Sequence, residues 1–372
     1  ALSSAASDVY KRQILGGAVP VYVNPGVNKE LGIPLGMTVE DVEKAILENP
    51  DAKAVFVNNP TYYGVCSDIK KIADLAHAHG MYLLADEAHG THFYFGDNMP
   101  LAGMKAGADF AAVSMHKSGG SLTQSSFLLT ADTVNEGYVR QIINLMQTTS
   151  GSYLLMSSLD ISRRNLALHG REIFAKVQSY AQYMRDEINE IGGYYAFSKE
   201  LCDGGAFYDF DVTKLSIHTR DIGLAGIEVY DILRDRYGIQ IEFGDIGNIL
   251  AYVSIGDREL YLDRLIGALN DIKRIYSKDK TGMLDHEYIN PIVKLSPQDA
   301  FYGNKKSVPI EQSSGKISGE FVMCYPPGIP ILAPGEQITD EILAYIKYAG
   351  DKGCFLTGTQ DLEIKNIMIL DE

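Results

Sequence analysis

The stretch that decides the fold runs from Met81 to Thr130 and reads MYLLADEAHGTHFYFGDNMPLAGMKAGADFAAVSMHKSGGSLTQSSFLLT. Two short, continuous apolar runs inside it, Met81–Ala85 and Phe110–Val113, predict buried strands of a parallel sheet. Asp86 directly follows the first run, and Lys117 lies in the turn after the second. Because ligands of open α/β sheets bind outside the carboxyl ends of the strands, we expect a functional site at these two residues.

An acid and a lysine at two strand ends suit the chemistry of pyridoxal phosphate (PLP). The acid keeps the pyridine nitrogen of the cofactor protonated, and the lysine forms the Schiff base. We therefore predict that Asp86 pairs with the ring nitrogen and that Lys117 carries the cofactor. The neighbouring small and polar residues are predicted to complete the site, with Ala88 under the ring, His89 at the ring hydroxyl or substrate carboxylate, and Ser114 and His116 at the phosphate.

Each part of this pattern has a simpler interpretation when it is taken alone. An Asp at a strand end is more often a structural acid than a functional one. The run Asp86–His89 (DEAH) by itself resembles a helicase-type nucleotide motif, but no GxxxxGK[ST] loop accompanies it. The histidines form no convincing ligand set, so no metal is predicted. The combination of acid and lysine is what indicates PLP.

The rest of the chain predicts one large domain and two smaller ones. Apolar runs such as Ala18–Val23 and Ala54–Val57 are predicted strands, and they alternate with helices that begin at Thr38 and Ser67. This alternation is typical of a parallel sheet that helices cover on both faces. A long helical pattern, Arg163–Ile191, leads into shorter mixed elements. We predict a PLP-binding large domain over residues 1–160, a small α+β domain over 161–280 and a C-terminal domain over 281–372.

The composition indicates a globular protein, with 46% hydrophobic and 22% charged residues. A formal net charge of −15 argues against a nucleic-acid-binding surface. No apolar run approaches the roughly 20 residues that span a bilayer, so no membrane partner is predicted. The cysteines lie far apart without a CxxC pair, which indicates reduced thiols and a cytoplasmic enzyme: Cys66, Cys202, Cys324 and Cys354.

The run Ala112–Ser126 (AVSMHKSGGSLTQSS) resembles the PLP-attachment signature of the Orn/Lys/Arg decarboxylase family throughout. The resemblance continues in the loop Asn59–Gly64 (NPTYYG), the turn Asp86–Gly90 (DEAHG) and the run Gly319–Pro330 (GEFVMCYPPGIP). It implies an α/β protein of PLP fold type I, with a mostly parallel sheet in the large domain, an α+β small domain and a C-terminal α/β domain. Because no response-regulator-like wing domain is seen, the chain resembles the shorter, biosynthetic arginine decarboxylases.

The resemblance also implies roles for residues outside the central stretch. Thr148 and Ser150 would reach a phosphate across a dimer interface, so a homodimer or a higher homo-oligomer is expected. Glu320 is the first candidate for binding the cationic end of a basic amino-acid substrate, and Glu242 is the second. Tyr62 is a candidate for the pocket wall. A structural acid beside a turn stays open for Glu320, and core packing stays open for Tyr62.

The implied reaction is PLP-dependent α-decarboxylation of a basic amino acid. Arginine to agmatine, in polyamine biosynthesis, is the first candidate, with lysine or ornithine as the other substrates. His89 or Lys117 would return the proton to Cα. Two alternatives stay open. One is another fold type I enzyme, an aminotransferase or a β-eliminating lyase, in which an arginine would grip the α-carboxylate that decarboxylation leaves ungripped. The other is an inactive fragment.

The N-terminus departs from the family pattern. Residues 1–13 look foreign, and the match resumes near Ile14. The family carries a phosphate-binding turn and a ring-stacking histidine ahead of the first strand, and neither has a counterpart in this sequence. We therefore expect an N-terminally truncated family member, for which binding of PLP by the chain alone is an open question.

Overall fold

The computed structural model describes residues 13–279, 289, 291–325, 329–351 and 354–371. The chain divides into two compact units, one over residues 25–283 and one that joins residues 1–24 to residues 284–372. The predicted foreign segment lies almost wholly outside the described residues, since only Gln13 of it is described. The boundaries of the three predicted domains stay predictions. In the described part of the chain, no helix combines the length and the apolar character needed to cross a membrane.

The larger unit contains twelve strands and eight helices among its described residues. The strands are β1 (Val27–Asn28), β2 (Ile33–Pro34), β3 (Ala54–Asn58), β4 (Val65–Cys66), β5 (Tyr82–Asp86), β6 (Phe110–Val113), β7 (Phe127–Thr130), β8 (Tyr195–Ala196), β9 (Asp209–Phe210), β10 (Lys214–His218), β11 (Phe243–Gly244) and β12 (Asn248–Tyr252). The helices are α1 (Val39–Glu48), α2 (Ile69–Ala78), α3 (Gly103–Ala106), α4 (Met115–Ser118), α5 (Glu136–Met146), α6 (Tyr153–Ile191), α7 (Gly226–Tyr237) and α8 (Glu259–Tyr276).

The central sheet has the strand order β3-β5-β6-β7. Strands β3, β5 and β6 run parallel, and β7 closes the sheet antiparallel to β6. In the register of the parallel strands, Asn58 lies beside Asp86 and Asp86 lies beside Ala112. The carboxyl ends of these strands therefore meet at one edge, which confirms the predicted mostly parallel sheet and places Asp86 where ligands bind in such folds.

The helices beside this sheet begin at the caps that their sequences specify. The Thr38 side chain accepts a hydrogen bond from the Asp41 N–H, which confirms the predicted start of α1. The predicted cap of α2 is wrong by one residue, because Asp68 and not Ser67 caps the helix. The Ser67 hydroxyl instead accepts a hydrogen bond from the Met37 N–H, at 3.0 Å.

A second sheet, of strand order β11-β12-β10-β8, is antiparallel and packs with helices α6, α7 and α8 in one apolar core. Its central strand β10 was not predicted from the sequence, although all five of its residues are buried. Its residues Lys-Leu-Ser-Ile-His alternate polar and apolar, which gives no signal for a fully buried strand. Ahead of β10, the short strand β9 pairs antiparallel with β4.

The smaller unit has its own apolar core. Its elements are α9 (Pro297–Tyr302), β13 (Lys305–Pro309), β14 (Val322–Tyr325), β15 (Ile329–Leu332), α10 (Asp340–Asp351), β16 (Phe355–Thr357) and β17 (Asn366–Leu370). The prediction of a buried strand over residues 18–23 is wrong. That segment pairs with no strand among the described residues, and the side chains of Val19 and Val21 are exposed.

Candidate active site

Asp86 lies at the carboxyl end of β5 and is 5% exposed. Its Oδ1 accepts a hydrogen bond from the N–H of Ala88, at 3.0 Å, which folds the chain sharply after the strand. Its backbone carbonyl accepts a hydrogen bond from the Asn59 N–H, at 2.9 Å. The turn is thus fixed from both sides, and Ala88 is itself buried.

Lys117 lies in the single-turn helix α4, which follows β6. Two contacts hold this turn in place. The Thr91 hydroxyl donates to the carbonyl of Ser114 at 2.9 Å, and Nδ1 of His116 lies 2.9 Å from the carbonyl oxygen of Ser125. The short helix directs the Lys117 amine toward the turn after β5, where its Nζ lies 3.0 Å from Nε2 of His89.

His89 lies at the centre of the site and is buried. Its ring packs edge-on against the ring of Tyr62, with centroids 4.5 Å apart and an interplanar angle of 75°. Burial, together with the charges of Lys214 and Lys117, lowers the pKa of His89 well below its usual value. The imidazole is therefore neutral at physiological pH, with one N–H and one lone pair.

The structure also brings together Tyr62 and Glu242, which are far apart in the sequence. The Tyr62 hydroxyl donates a hydrogen bond to Oε1 of Glu242. The carboxylate is therefore separated from His89 by one tyrosine ring. The next tyrosine makes a similar hydrogen bond to a carboxylate, since the Tyr63 hydroxyl donates to Oδ2 of Asp245.

Lys214 is a site residue that no sequence motif indicated. It begins β10 and is only 1% exposed. Its Nζ lies 3.2 Å from Nδ1 of His89 and 3.8 Å from the centroid of the Tyr252 ring. Burial lowers the pKa of Lys214 to about 8, although the charges of Asp211 and Glu242 oppose the shift. A single lysine at the start of a short segment of mixed polarity carries no sequence pattern that indicates burial. The position of Lys214 in the site is therefore seen only in the tertiary structure.

A buried polar network behind Lys214 was also missed. Nε2 of His92 lies 2.8 Å from Oδ2 of Asp211, and both side chains are fully buried. The Thr213 hydroxyl donates to the other oxygen of Asp211 at 2.7 Å. Burial alone would raise the pKa of Asp211, but the contact with His92 and the charge of Lys214 hold it below its usual value. Asp211 therefore supplies a buried negative charge that acts on Lys214.

The other predicted site residues belong to other segments of the chain. Thr148 and Ser150 are exposed in the loop between α5 and α6, where the Thr148 hydroxyl accepts a hydrogen bond from the Ser150 N–H. Glu320 lies in the smaller unit, and its two carboxylate oxygens accept hydrogen bonds from the N–H groups of Gln360, at 2.8 Å, and Met368, at 2.7 Å. These contacts favour the structural alternative for Glu320, while its substrate role stays a prediction.

The residues at the strand ends fit the chemistry of PLP. An acid, an amine and a small buried residue lie within the two turns that follow β5 and β6, as a flat ring with a basic nitrogen requires. Beside them, Nδ2 of Asn59 is buried and has no hydrogen-bond partner among the residues that the structure describes. An unsatisfied buried donor is costly unless a ligand meets it, so the Asn59 amide is a candidate for a polar contact with a bound ring.

Two family models cover most of the chain. The model of the Orn/Lys/Arg decarboxylase major domain matches residues 8–260, and that of the C-terminal domain matches residues 281–357. The chain belongs to the Orn/Lys/Arg decarboxylase family. Enzymes of this family use PLP, which confirms the predicted cofactor.

Relatives in the Orn/Lys/Arg decarboxylase family match along nearly the whole chain. The arginine decarboxylase of Bacillus subtilis is 42% identical over 363 residues, covering 96% of this chain and 74% of that protein. The arginine decarboxylase of Halalkalibacterium halodurans is 42% identical over 366 residues, with the same coverage. These matches confirm the resemblance that the motifs indicated.

Solved structures confirm fold type I. Lysine decarboxylase A from Pseudomonas aeruginosa superimposes with a TM-score of 0.79 at 19% identity, covering 99% of this chain and 65% of that one. The constitutive lysine decarboxylase of Escherichia coli gives a TM-score of 0.78 at 18% identity, covering 98% of this chain and 66% of that one. The chain therefore spans just under two thirds of the length of these enzymes.

Proposed function

We propose that this chain catalyses the PLP-dependent α-decarboxylation of a basic amino acid, with arginine as the first candidate substrate. The observation that carries this proposal is the position of Glu242. Its carboxylate, bound by the Tyr62 hydroxyl, lies one aromatic ring away from His89 and the Lys117 amine. Similarity to proteins named arginine decarboxylase favours arginine over lysine and ornithine.

In this proposal each residue of the two turns has one task. Lys117 would hold the cofactor, Asp86 would pair with its ring nitrogen, and Ser114 and His116 would lie at its phosphate. When bound, PLP supplies an electron sink for the electron pair that remains at Cα after carbon dioxide leaves. Neutral His89 can carry a proton at the nitrogen that faces Lys117, and the buried surroundings exclude water from this proton.

Substrate choice would follow from the carboxylate at the far side of the Tyr62 ring. A guanidinium or ammonium group at the end of the substrate side chain would pair with Glu242, and a charge-assisted hydrogen bond is roughly twice as strong as a neutral one. Tyr62 then has two tasks. Its hydroxyl fixes the carboxylate, and its ring separates the carboxylate from the reacting end of the substrate.

An aminotransferase is the second candidate, and the surroundings of Arg185 argue against it. Such an enzyme uses an arginine to grip the α-carboxylate of its substrate. Arg185 is the arginine that is buried among the described residues, and it donates to the backbone carbonyls of Phe197, Val212 and Lys214. Its guanidinium is therefore committed to the protein backbone.

A second copy of the chain would complete the site. Helix α5 has no buried residue, and the apolar side chains of Leu145, Tyr153 and Leu154 are exposed on both sides of the Thr148–Ser150 loop. A partner copy packed on this surface would cover it and would bring the loop to a phosphate site, as predicted.

Cys66 and Cys202 are thiols, which fits the reducing cytoplasm.

The test is carbon dioxide release by the purified chain, supplied with PLP, from arginine, lysine and ornithine in turn. We expect release from arginine above the other two, and we expect Lys117→Ala to abolish it. The matched control is Lys176→Met, which removes an exposed lysine of α6 and should leave the rate unchanged. Transamination of a 2-oxo acid without carbon dioxide release would contradict the proposal.

A further inference from the structure

The turn that carries Lys117 is held at its C-terminal end by a buried histidine. Nδ1 of His92 lies 3.3 Å from Oγ of Ser118, the last residue of α4, and both side chains are buried. The two residues after Ser118 are Gly119 and Gly120, which have no side chain. Ser118 is therefore the side chain through which the protein can hold this end of the turn.

The other side of the His92 ring is fixed by Asp211. Nε2 of the ring lies 2.8 Å from Oδ2 of Asp211, and both side chains are fully buried. Oδ1 of the same carboxylate accepts hydrogen bonds from the N–H of Thr213, at 3.0 Å, and from the Thr213 hydroxyl, at 2.7 Å. A carboxylate that accepts at both oxygens needs a donor at each, so Nε2 of His92 carries a proton.

Aromatic side chains fix the orientation of the His92 ring between these two polar partners. The ring centroid lies 4.8 Å from that of Phe93 and 5.6 Å from that of Phe174. Rotation of the imidazole would break the hydrogen bonds to Ser118 and Asp211 together. The ring is therefore a fixed link between α4 and the segment that precedes β10.

The residue before His92 holds the opposite end of the same turn. Thr91 and His92 both belong to the 3-10 turn Thr91–Tyr94, and the Thr91 hydroxyl donates to the carbonyl of Ser114 at 2.9 Å. Helix α4 is thus held at its beginning and at its end by two adjacent residues. Of these two holds, the one through His92 continues to Asp211, and so reaches a distant part of the sequence.

We infer that Ser118, His92 and Asp211 form a hydrogen-bonded chain that positions Lys117 for attachment of the cofactor. His92 is the central positioning residue, and it acts on Lys117 through Ser118. The side chain of Ser118 also forms a hydrogen bond with that of Tyr252, in β12, which adds a second tie to the second sheet. This inference rests on the proposed function only in naming Lys117 as the residue that binds PLP.

The first test is amide hydrogen exchange in the full chain without cofactor, followed by peptide mass spectrometry. Within α4, the Lys117 N–H bonds to the Ser114 carbonyl at 3.1 Å, and the Gly119 N–H bonds to the Met115 carbonyl at 2.8 Å. In Ser118→Ala we expect these amides to exchange about 5- to 10-fold faster relative to the rest of the chain, because one hydrogen bond fewer holds the turn.

The matched control is Ser216→Ala, which removes another buried hydroxyl, one that donates to the carbonyl of Tyr63 at 2.9 Å. It should leave exchange in α4 unchanged relative to the rest of the chain. Exchange in α4 of Ser118→Ala that changes only in step with global stability, as in the control, would overturn the inference.

A double-mutant cycle tests whether the two side chains act as one unit. His92→Gln can still donate to Asp211 from its amide, but it has no ring nitrogen that faces Ser118. It should accelerate exchange in α4 about as much as Ser118→Ala, and the double variant should exchange little faster than either single variant. Effects that multiply in the double variant would show that the two side chains act independently, which contradicts the inference.

The second test is the rate at which PLP attaches to Lys117, followed by absorbance after mixing and located by borohydride reduction and peptide mapping. An amine held in place reacts faster than one that must first be oriented, so the rate constant should fall about 5- to 10-fold in Ser118→Ala. A purely structural contact would change the folded fraction and not this rate constant. An unchanged rate constant in the folded variant would overturn the inference.

A third measurement uses the wild-type chain. Nitrogen NMR of the histidine-labelled protein, with the His92 signals assigned by their loss in His92→Gln, should show a proton on Nε2. A neutral Nδ1–H tautomer would contradict the chain. The proposed function fails separately. If the wild type attaches no PLP at Lys117, that function falls, and the exchange and tautomer measurements decide the inference.

Discussion

Glu242 and Glu320 were both candidates for the substrate cation, and their surroundings differ. Glu242 is exposed and accepts a hydrogen bond from the Tyr62 hydroxyl. Glu320 is 9% exposed, and backbone amides occupy both of its oxygens. A carboxylate that binds a ligand must offer an oxygen to it, so these surroundings favour Glu242.

Glu242→Gln should lower kcat/KM for arginine about 10- to 100-fold, because a hydrogen bond to a charged group is worth roughly 1.5–3 kcal/mol. Citrulline, which has the shape of arginine without its charge, is the matched substrate. Steady-state kinetics with both should show the preference for arginine over citrulline collapse in the variant. Equal preference in wild type and variant would exclude Glu242 as the specificity residue.

Glu320→Gln is the companion variant. Its amide would place a donor against one of two backbone N–H groups, and a buried polar group without a partner costs about 1–3 kcal/mol. We expect a loss of stability of this size in chemical denaturation, with the preference for arginine retained. A change of substrate preference at unchanged stability would instead support the predicted substrate role of Glu320.

Glu87 predicts a dependence of stability on pH. It is fully buried, and burial raises its pKa to about 7, although hydrogen bonds from Tyr94 and Gly103 oppose the shift. Because the folded-state pKa is raised, its contribution to stability is complete below pH 4.5 and is lost as the pH rises through 7. The side chain of Glu87→Gln cannot ionise. Between pH 5 and 8, the free energy of unfolding of this variant should therefore rise relative to that of wild type by up to about 3 kcal/mol.

Urea denaturation of wild type and Glu87→Gln at pH 5 and pH 8, followed by circular dichroism, measures this difference. Parallel stability curves in the two proteins would show that Glu87 does not titrate in this range.

Among the elements, the Arg185 side chain of helix α6 bonds to the second sheet and to the segments beside it. Arg185 donates to the carbonyls of Phe197, at 3.1 Å, and of Val212 and Lys214, at 3.2 and 2.9 Å. It thereby fixes the backbone at the start of β10, from which the Lys214 side chain reaches His89. The contact between Lys214 and His89 thus depends on a side chain of helix α6.

Arg185→Met should destabilise the chain by about 3 kcal/mol or more, because each buried carbonyl left without a donor costs about 1–3 kcal/mol. Arg171→Met, on the same helix, removes an exposed side chain and should change stability by about 0.5 kcal/mol or less. Thermal unfolding of the two variants measures the difference, and equal effects would contradict the structural role of Arg185.

Local signals decided which elements and site residues could be predicted. Asp86 and Lys117 each follow a continuous apolar strand, so the sequence places both at one edge of a parallel sheet. Lys214, Asp211 and His92 meet through pairing of distant segments, and a polar residue inside a mixed strand carries no local sign of burial. The residues at strand ends were therefore predictable, and the buried polar network was not.

For the whole molecule, the exposed apolar surface of α5 and the start of α6 predicts association of two copies. Leu145→Asp should weaken this association, because the new carboxylate would be desolvated in an apolar interface without a partner of opposite charge. Leu260→Asp, at another exposed apolar position, on α8, is the matched control. Sedimentation equilibrium should give a smaller mass for Leu145→Asp alone, and a monomeric wild type at micromolar concentration would contradict the prediction.

Helix α6 is 39 residues long, and its buried residues, from Ser162 to Ile188, all lie after its first turns. Backbone hydrogens at its beginning are therefore held by local helix formation alone, and those further along by the core. In deuterium exchange, protection should increase along this one helix from its first turn to its last. A partner copy would slow exchange near Tyr153 and Leu154 and leave the far end of the helix unchanged. The difference in exchange rate between the two ends of this one helix would therefore report whether two copies have associated.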